Sequence, residues 1–209
     1  MSCSICATPY RLYLMTKSIF GSSKIFLWAM LALIFGAGLA VRLYDLTDPP
    51  LDFHGTRQLH SAIKARGMYY KMADPVDTPE WKRDVALELS AAEETIEPPI
   101  LEWLAAVTYT LTGGEYLWIP RLYSIFFWML GGVLLFLLTR EIAGTDGAII
   151  SLVYFMVIPF GIYASRSFQP DPLMTISIVA ALWGATRWQR TPTWRWTILA
   201  GLLSGFAIF

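Results

Sequence analysis

Residues 25–44 read IFLWAMLALIFGAGLAVRLY, and residues 45–52 follow at once with DLTDPPLD. Twenty residues whose single charge, Arg42, lies near the far end match the ~20 a helix needs to cross a bilayer. Asp48-Pro49-Pro50 then ends the run, because proline removes a backbone donor and cannot continue a helix. Asp52 stands just beyond. An apolar helix that delivers the chain to a charged exit decides the reading, since ionisable groups at the bilayer boundary are costly and tend to mark a site.

Working outward, four more apolar runs follow at 118–139, 148–164, 172–187 and from Trp196 onward. With 209 residues, 56% apolar and 15% aromatic, and mean hydropathy +0.49, the chain is too apolar for an ordinary soluble domain. The fold class expected is an all-α membrane protein, a multi-span helical bundle. Its last run stops at Phe209 within an apolar stretch, so an N-terminal fragment truncated within the fifth span is expected, inactive by itself.

Charge orients the spans. The tail over residues 1–24, expected to be disordered, carries Arg11, Lys17 and Lys24 and no acid, which makes it cytoplasmic by the positive-inside rule. Residues 45–117 hold thirteen of the sixteen acids, so this long loop is expected outside. The second span returns to Arg140-Glu141 and a short turn, Gly144-Thr145-Asp146-Gly147; the third runs out to Arg166 and Asp171; the fourth comes back to Arg187-Trp188-Gln189-Arg190. A multi-pass plasma-membrane protein follows. Net charge is zero, which gives no bias toward nucleic acid. Cys3 and Cys6 have C-x-x-C spacing but no second pair or strand–helix context, and Met15 is an alternative start. The first run, with Ala37-Gly38-Leu39-Ala40 as a small-residue end, also resembles a signal peptide; its length and the later spans favour an uncleaved anchor.

Within the loop, Leu59, Ile63 and Tyr70 fall on one face of a helix over about 53–72 that lies along the surface, with Gly67 weakening its middle. Thr78-Pro79-Glu80 opens a second, polar helix, expected to be solvated, which Glu97-Pro98-Pro99 stops. Residues 100–112 are apolar but short for a span, and are expected to be interfacial or re-entrant.

The order of these landmarks resembles the GT-C membrane glycosyltransferases. Arg42-Leu43-Tyr44, Asp52, Pro98-Pro99-Ile100-Leu101-Glu102-Trp103-Leu104, Gly113-Gly114, Pro120-Arg121-Leu122-Tyr123-Ser124, Ser165-Arg166-Ser167 and Asp171-Pro172-Leu173 carry it, over residues 25–209. The nearest branch is glycosyltransferase family 39, with protein O-mannosyltransferases and aminoarabinose transferases. The resemblance implies an enzyme that takes a sugar from a polyprenyl-phosphate lipid and moves it, on the outer face, to a lipid, glycan or protein. An acid opening the first outer loop helps catalysis in that family, often in an Asp-Glu pair. Asp52 matches it, but Phe53 stands in the second place. A further acid after the third span corresponds to Asp171. Where the aminoarabinose branch has a lysine before Pro-Pro, this chain has Glu97, which argues against that sugar.

Sugar transfer needs a carboxylate to orient or deprotonate the acceptor, worth ~10²–10⁴-fold. It also needs cationic charge, from arginine or a divalent metal, at the departing phosphate. Asp52 is assigned as general base and Asp171 as the group that orients the acceptor or helps hold a metal, both reaching one cavity. Arg57, His54, Arg166, Glu97 and Trp103 are the candidate substrate contacts. Each has a plainer reading. Asp52 and Asp171 suit helix N-caps, Arg42, Arg121 and Arg166 suit snorkelling to headgroups, and Trp103, Tyr109 and Trp118 suit an aromatic belt. His54 and His60, six apart, share a helical face poorly, and an Asp52–His54 metal site is a weak pattern. A flippase of lipid-linked sugars or a membrane scaffold are the competing functions. Spans almost free of internal charge disfavour transport, and no ATPase, hydrolase or metalloprotease signature is present.

Overall fold

The computed structural model describes residues 18–208 apart from Ser22 and residues 74–77. Cys3, Cys6, Met15 and most of the expected tail lie outside them. The described chain forms helices and no strand.

Helix α1, Lys24–Leu43, is the first apolar run; it buries only Gly38 and Arg42 and leaves its other faces largely exposed. Helices α2 (Gly55–Met72), α3 (Glu80–Ala92) and α4 (Ile100–Thr112) occupy the loop. Helix α5, Trp118–Val157, contains the second apolar run and most of the third. Gly144, at φ 75° and ψ −176°, is a non-helical residue between its two arms. A left-handed φ of this kind costs glycine little and other residues more. The arms meet antiparallel: the Trp128 ring stacks on Phe155 at 4.4 Å, and Gly132 faces Met156 and Leu152. Trp128, Phe136, Ala148, Ile149, Leu152 and Met156 form the bundle core, against which α1 lays Leu27, Leu31 and Phe35.

The third apolar run, expected unbroken over 148–164, is interrupted. Ile158 has ψ 124°, and a short helix α6, Pro159–Ser165, starts afresh with proline in its first turn. The physical reason is that Pro159 disfavours the helical conformation in the residue before it. Helix α7, Asp171–Arg190, and helix α8, Trp194–Ile208, then pack together where Gly184 lets Ala200 and Leu203 approach. Helices α1 and α5 are long and apolar enough to cross a membrane. The architecture is that of an all-α membrane protein.

Charged groups gather at the two ends of this bundle. At one, Asp146 accepts hydrogen bonds from the Ser18 hydroxyl (2.7 Å) and the Ile19 and Phe20 amides (2.9 and 3.0 Å), while Glu141 pairs with Arg187 at 3.2 Å. At the other lie Asp45, Asp52, Arg121 and Arg166.

Helices α2, α3 and α4 form a lobe at the Asp52 end with a core of Ala65, Tyr69, Tyr70, Ala86, Leu101, Ala105, Ala106 and Tyr109, closed by Ile119 and Phe168. Three loop expectations change. The buried face of α2 carries Gln58, Ser61, Ala65, Tyr69 and Tyr70, whereas Leu59 is exposed, because small and polar side chains are what pack beneath this helix. Gly67 does not weaken α2; it is where α3 crosses most closely, with Ser90 and the Ala86 carbonyl against it. Helix α3, expected to be solvated, buries Ala86 and Ser90 at that crossing. Glu115 ties the lobe by pairing with Arg66 at 2.9 Å and Lys82 at 3.1 Å and by accepting the Tyr70 hydroxyl.

Candidate functional site

The segment 165–169, Ser-Arg-Ser-Phe-Gln, joins α6 to α7 and is buried throughout. Backbone polar groups there need partners, and other elements supply them. The Arg42 guanidinium donates from Nε to the Ser165 hydroxyl at 2.6 Å and from Nη1 to the Gly38 and Met156 carbonyls. Arg121 donates from Nε to the Arg166 carbonyl at 2.9 Å. The Ser124 hydroxyl donates to the Ser167 carbonyl at 2.7 Å, and the Phe168 amide donates to the Gln58 carboxamide oxygen at 3.0 Å. Four side chains thus hold one turn.

The same groups hold the Asp52 segment. Arg121 donates from Nη1 to the Leu46 and Asp48 carbonyls (3.0 and 2.7 Å) and from Nη2 to Asp52 Oδ2 at 3.1 Å. Arg166 Nε approaches the same oxygen at 3.5 Å, while its Nη2 donates to the Asp45 carbonyl at 2.9 Å. Gln58 Nε2 donates to the Phe53 carbonyl and reaches Asp52 Oδ1 at 3.4 Å. Asp45 and His54 adopt positive φ at 48° and 45°, so the chain between α1 and α2 turns sharply at both ends of this stretch. The planar fork of arginine suits several carbonyls and a carboxylate at once.

Arg42, Arg121 and Arg166 therefore do not snorkel: Arg42 and Arg121 are fully buried and Arg166 nearly so, each turned inward onto carbonyls or a carboxylate. Nor does either acid cap a helix through its side chain. His54 and Pro170 occupy the N-cap positions of α2 and α7, and neither helix has a side-chain cap.

Next to this knot is a cavity of about 330 Å³ whose lining includes His54, Arg57, Trp128, Gln169 and Asp171. Asp171 reaches it from the first turn of α7. Asp52 is not among its lining residues; Phe53 and His54, adjacent in sequence, are. The two acids expected in one cavity thus sit one within it and one behind it. Arg57 also borders a second cavity, of about 270 Å³, with Lys64, Glu97 and the buried Glu102, and its guanidinium pairs with Glu97 across an exposed contact. Arg166 heads an apolar groove with Ala40, Tyr44 and Tyr163. Trp103 is half exposed on α4 and lines none of these spaces. Among the described residues, no three of His, Cys, Asp and Glu come together as metal ligands; Asp171 and His54 share a cavity as two oxygen and nitrogen donors only.

The family model of dolichyl-phosphate-mannose-protein mannosyltransferases matches residues 96–209, more than half of the chain. The chain belongs to this family. No curated protein and no solved structure matches it. Members of the family are membrane glycosyltransferases, and the matched stretch contains Arg121, Arg166, Gln169 and Asp171; Asp52, Arg57 and Gln58 precede it. Sequence reasoning missed Gln58, Gln169 and the inward role of Arg121. The signal for Gln169 was its place beside Pro170-Asp171, at the head of a span.

Proposed function

We propose that this protein transfers a sugar from a polyprenyl-phosphate donor to a lipid, glycan or protein hydroxyl on the outer face of a plasma membrane, with residues 45–117 outside and the N-terminus cytoplasmic. The observation that carries the reading is the juxtaposition of the fixed Asp52 segment and a cavity bearing Asp171 and Arg57, in a chain of this family. The acceptor oxygen bonds to the anomeric carbon as the bond from that carbon to the phosphate oxygen breaks. The phosphate leaves with the electron pair. The acceptor hydroxyl approaches beside the cavity rather than through it, and its proton passes to Asp52, whose side chain is 27% exposed, whose Oδ2 is tied to Arg121 and whose Oδ1 has only the long Gln58 contact. Asp171 orients the acceptor, and Arg57, which spends one nitrogen on Glu97, turns its remaining donors to the phosphate.

The test is transfer of labelled mannose from polyprenyl-phosphate mannose by the intact protein in membranes, for wild type, Asp52→Asn and Asp171→Asn at matched expression. Wild type transfers, and Asp52→Asn loses roughly two orders of magnitude or more. Unchanged transfer by Asp52→Asn removes it as the base. Lipid flipping without transfer by wild type overturns the reading in favour of transport.

A further inference from the structure

Every residue of the turn 165–168 is met by another element, but Gln169 is not. Its side chain is 1% exposed, and neither its carbonyl oxygen nor its amide nitrogen has a hydrogen-bond partner. The indole Nε1 of Trp128, on the first arm of α5, is likewise buried and without one. Both residues line the cavity that Asp171 reaches. A carboxamide offers two donor hydrogens and two acceptor sites, and an indole offers one donor. Buried polar groups left unmet oppose folding, so folded proteins satisfy nearly all of them. Of the other walls, Phe53, Phe160, Ala164 and Ile178 have no side-chain hydrogen-bonding atom and Met174 only a weakly accepting sulfur. The Thr175 hydroxyl is already donated to the Asp171 carbonyl, and neither His54 nor Asp171 is within hydrogen-bond reach of the Gln169 carboxamide.

The chemistry of the missing partner follows from what surrounds it. The buried end of the lining offers neutral donors and an acceptor. The Arg42 guanidinium lies 5.8 Å from the centre of the Trp128 ring, but it is not itself part of the lining and already donates to Ser165, Gly38 and Met156, so the lining suits hydroxyl groups better than a phosphate. Aromatic rings bound it: Trp128, Phe53 and Phe160 are among its walls, the last two meeting edge-on at 5.3 Å. An apolar ring face with hydroxyls at its rim matches such a wall. Arg57, whose side chain is 47% exposed, marks the mouth and puts the cation where an anionic substituent on that ring would emerge.

We propose that this cavity holds the sugar of the donor lipid, with the Gln169 carboxamide exchanging hydrogen bonds with a ring hydroxyl and Trp128 Nε1 donating to a second oxygen. The assignment rests on the transfer reading above and deepens it: Gln169 selects a neutral, hydroxylated ring, and the linked phosphate stays at Arg57.

The test is equilibrium binding of two ligands to the intact protein in nanodiscs, polyprenyl-phosphate mannose and the same polyprenyl phosphate without sugar. Wild type is compared with Gln169→Leu and Trp128→Phe, and the unfolding midpoint of each variant is measured without ligand. Leucine has a similar volume and no polar atoms. Because Gln169 bonds to nothing in the protein, Gln169→Leu unfolds no more easily than wild type. It binds the mannosyl lipid about tenfold or more weakly, and the bare phosphate lipid as before. Trp128→Phe weakens the mannosyl lipid in the same selective way. Equal weakening of both ligands, or no weakening of either, overturns the assignment. A lower unfolding midpoint with unchanged mannosyl binding also overturns it, since the amide is then a structural group satisfied by water. Wild type that binds the bare lipid and the mannosyl lipid alike, and transfers nothing, overturns the transfer reading itself.

Discussion

Arg121→Met is the sharpest test of how the Asp52 segment is held. The side chain is fully buried and makes four hydrogen bonds, to the carbonyls of Leu46, Asp48 and Arg166 and to Asp52 Oδ2. Methionine fills much of the stem volume and provides no donor. Each of the three carbonyls loses a bond to a charged donor, worth about 1.5–3 kcal/mol when isolated, but they lie in turns that water can enter once the guanidinium is gone. Asp52, 27% exposed at its side chain, keeps Arg166 at 3.5 Å and is partly screened, so its share is discounted toward the value of a surface pair. Taking about 1 kcal/mol for each carbonyl and the same for Asp52 gives about 4 kcal/mol, in line with the ~3–5 kcal/mol for removing one member of a buried pair. Arg121→Lys keeps the charge without the fork and retains one or two of the four bonds, so it loses about half as much. Equilibrium unfolding of wild type and both variants in mixed micelles, titrated with a denaturing detergent, measures the differences. An Arg121→Met protein within about 1 kcal/mol of wild type refutes the reasoning, because bonds that cost so little to remove do not hold the turn.

Two further outcomes test the lobe. A Cβ at Gly67 would lie 2.1 Å from the Ser90 Cβ, so Gly67→Ala destabilises the protein by about 1–3 kcal/mol, and Ser90→Gly in the same chain recovers most of the loss; the unfolding midpoints of the single and double variants read this. Hydrogen bonding to Tyr70 and Glu115 raises the Lys82 ammonium above its ordinary 10.5. A raised folded-state value contributes stability that is complete below 10.5 and is lost as pH rises through the folded value. Stability to a denaturing detergent therefore keeps the Lys82 contribution up to 10.5 and loses it at higher pH, and Lys82→Met removes that loss. An alkaline loss of the same size in Lys82→Met assigns it to another group.

Much of the bundle was legible because it depends on local patterns. A twenty-residue apolar run needs no tertiary context to be a helix in lipid, and α1 begins within a residue of the expected run. The turn at Gly144 was equally local. What escaped reading depends on partners far away in sequence. Gln58 looks like a polar position on a surface helix until Phe168, 110 residues later, needs an acceptor. Arginines at span ends look like headgroup anchors, since nothing nearby in sequence says that carbonyls wait inside. Gly67 reads as a weak helical position until a second helix crosses it. Asp52 and Asp171 were read as acids at the same end of the bundle, where the structure has both, but their separation into a fixed segment and a cavity wall depended on where Arg121 points.

The spacing of the clamp also carries an order of assembly. The side chains of Arg42, Gln58, Arg121 and Ser124 all precede the turn they hold, and Arg42 lies 123 residues before the Ser165 hydroxyl it serves. In chain order, Arg121 finds Leu46, Asp48 and Asp52 already made and waits only for the Arg166 carbonyl, whereas Arg42 has only the Gly38 carbonyl of its own helix until Met156 and Ser165 follow. The Arg42 end of α1 is therefore tied to the α5–α6 junction only through residues 156 and 165. The turn thus completes a socket whose other walls come earlier in the chain, and a chain ending before it would leave Arg42 without Ser165 and Arg121 without the Arg166 carbonyl.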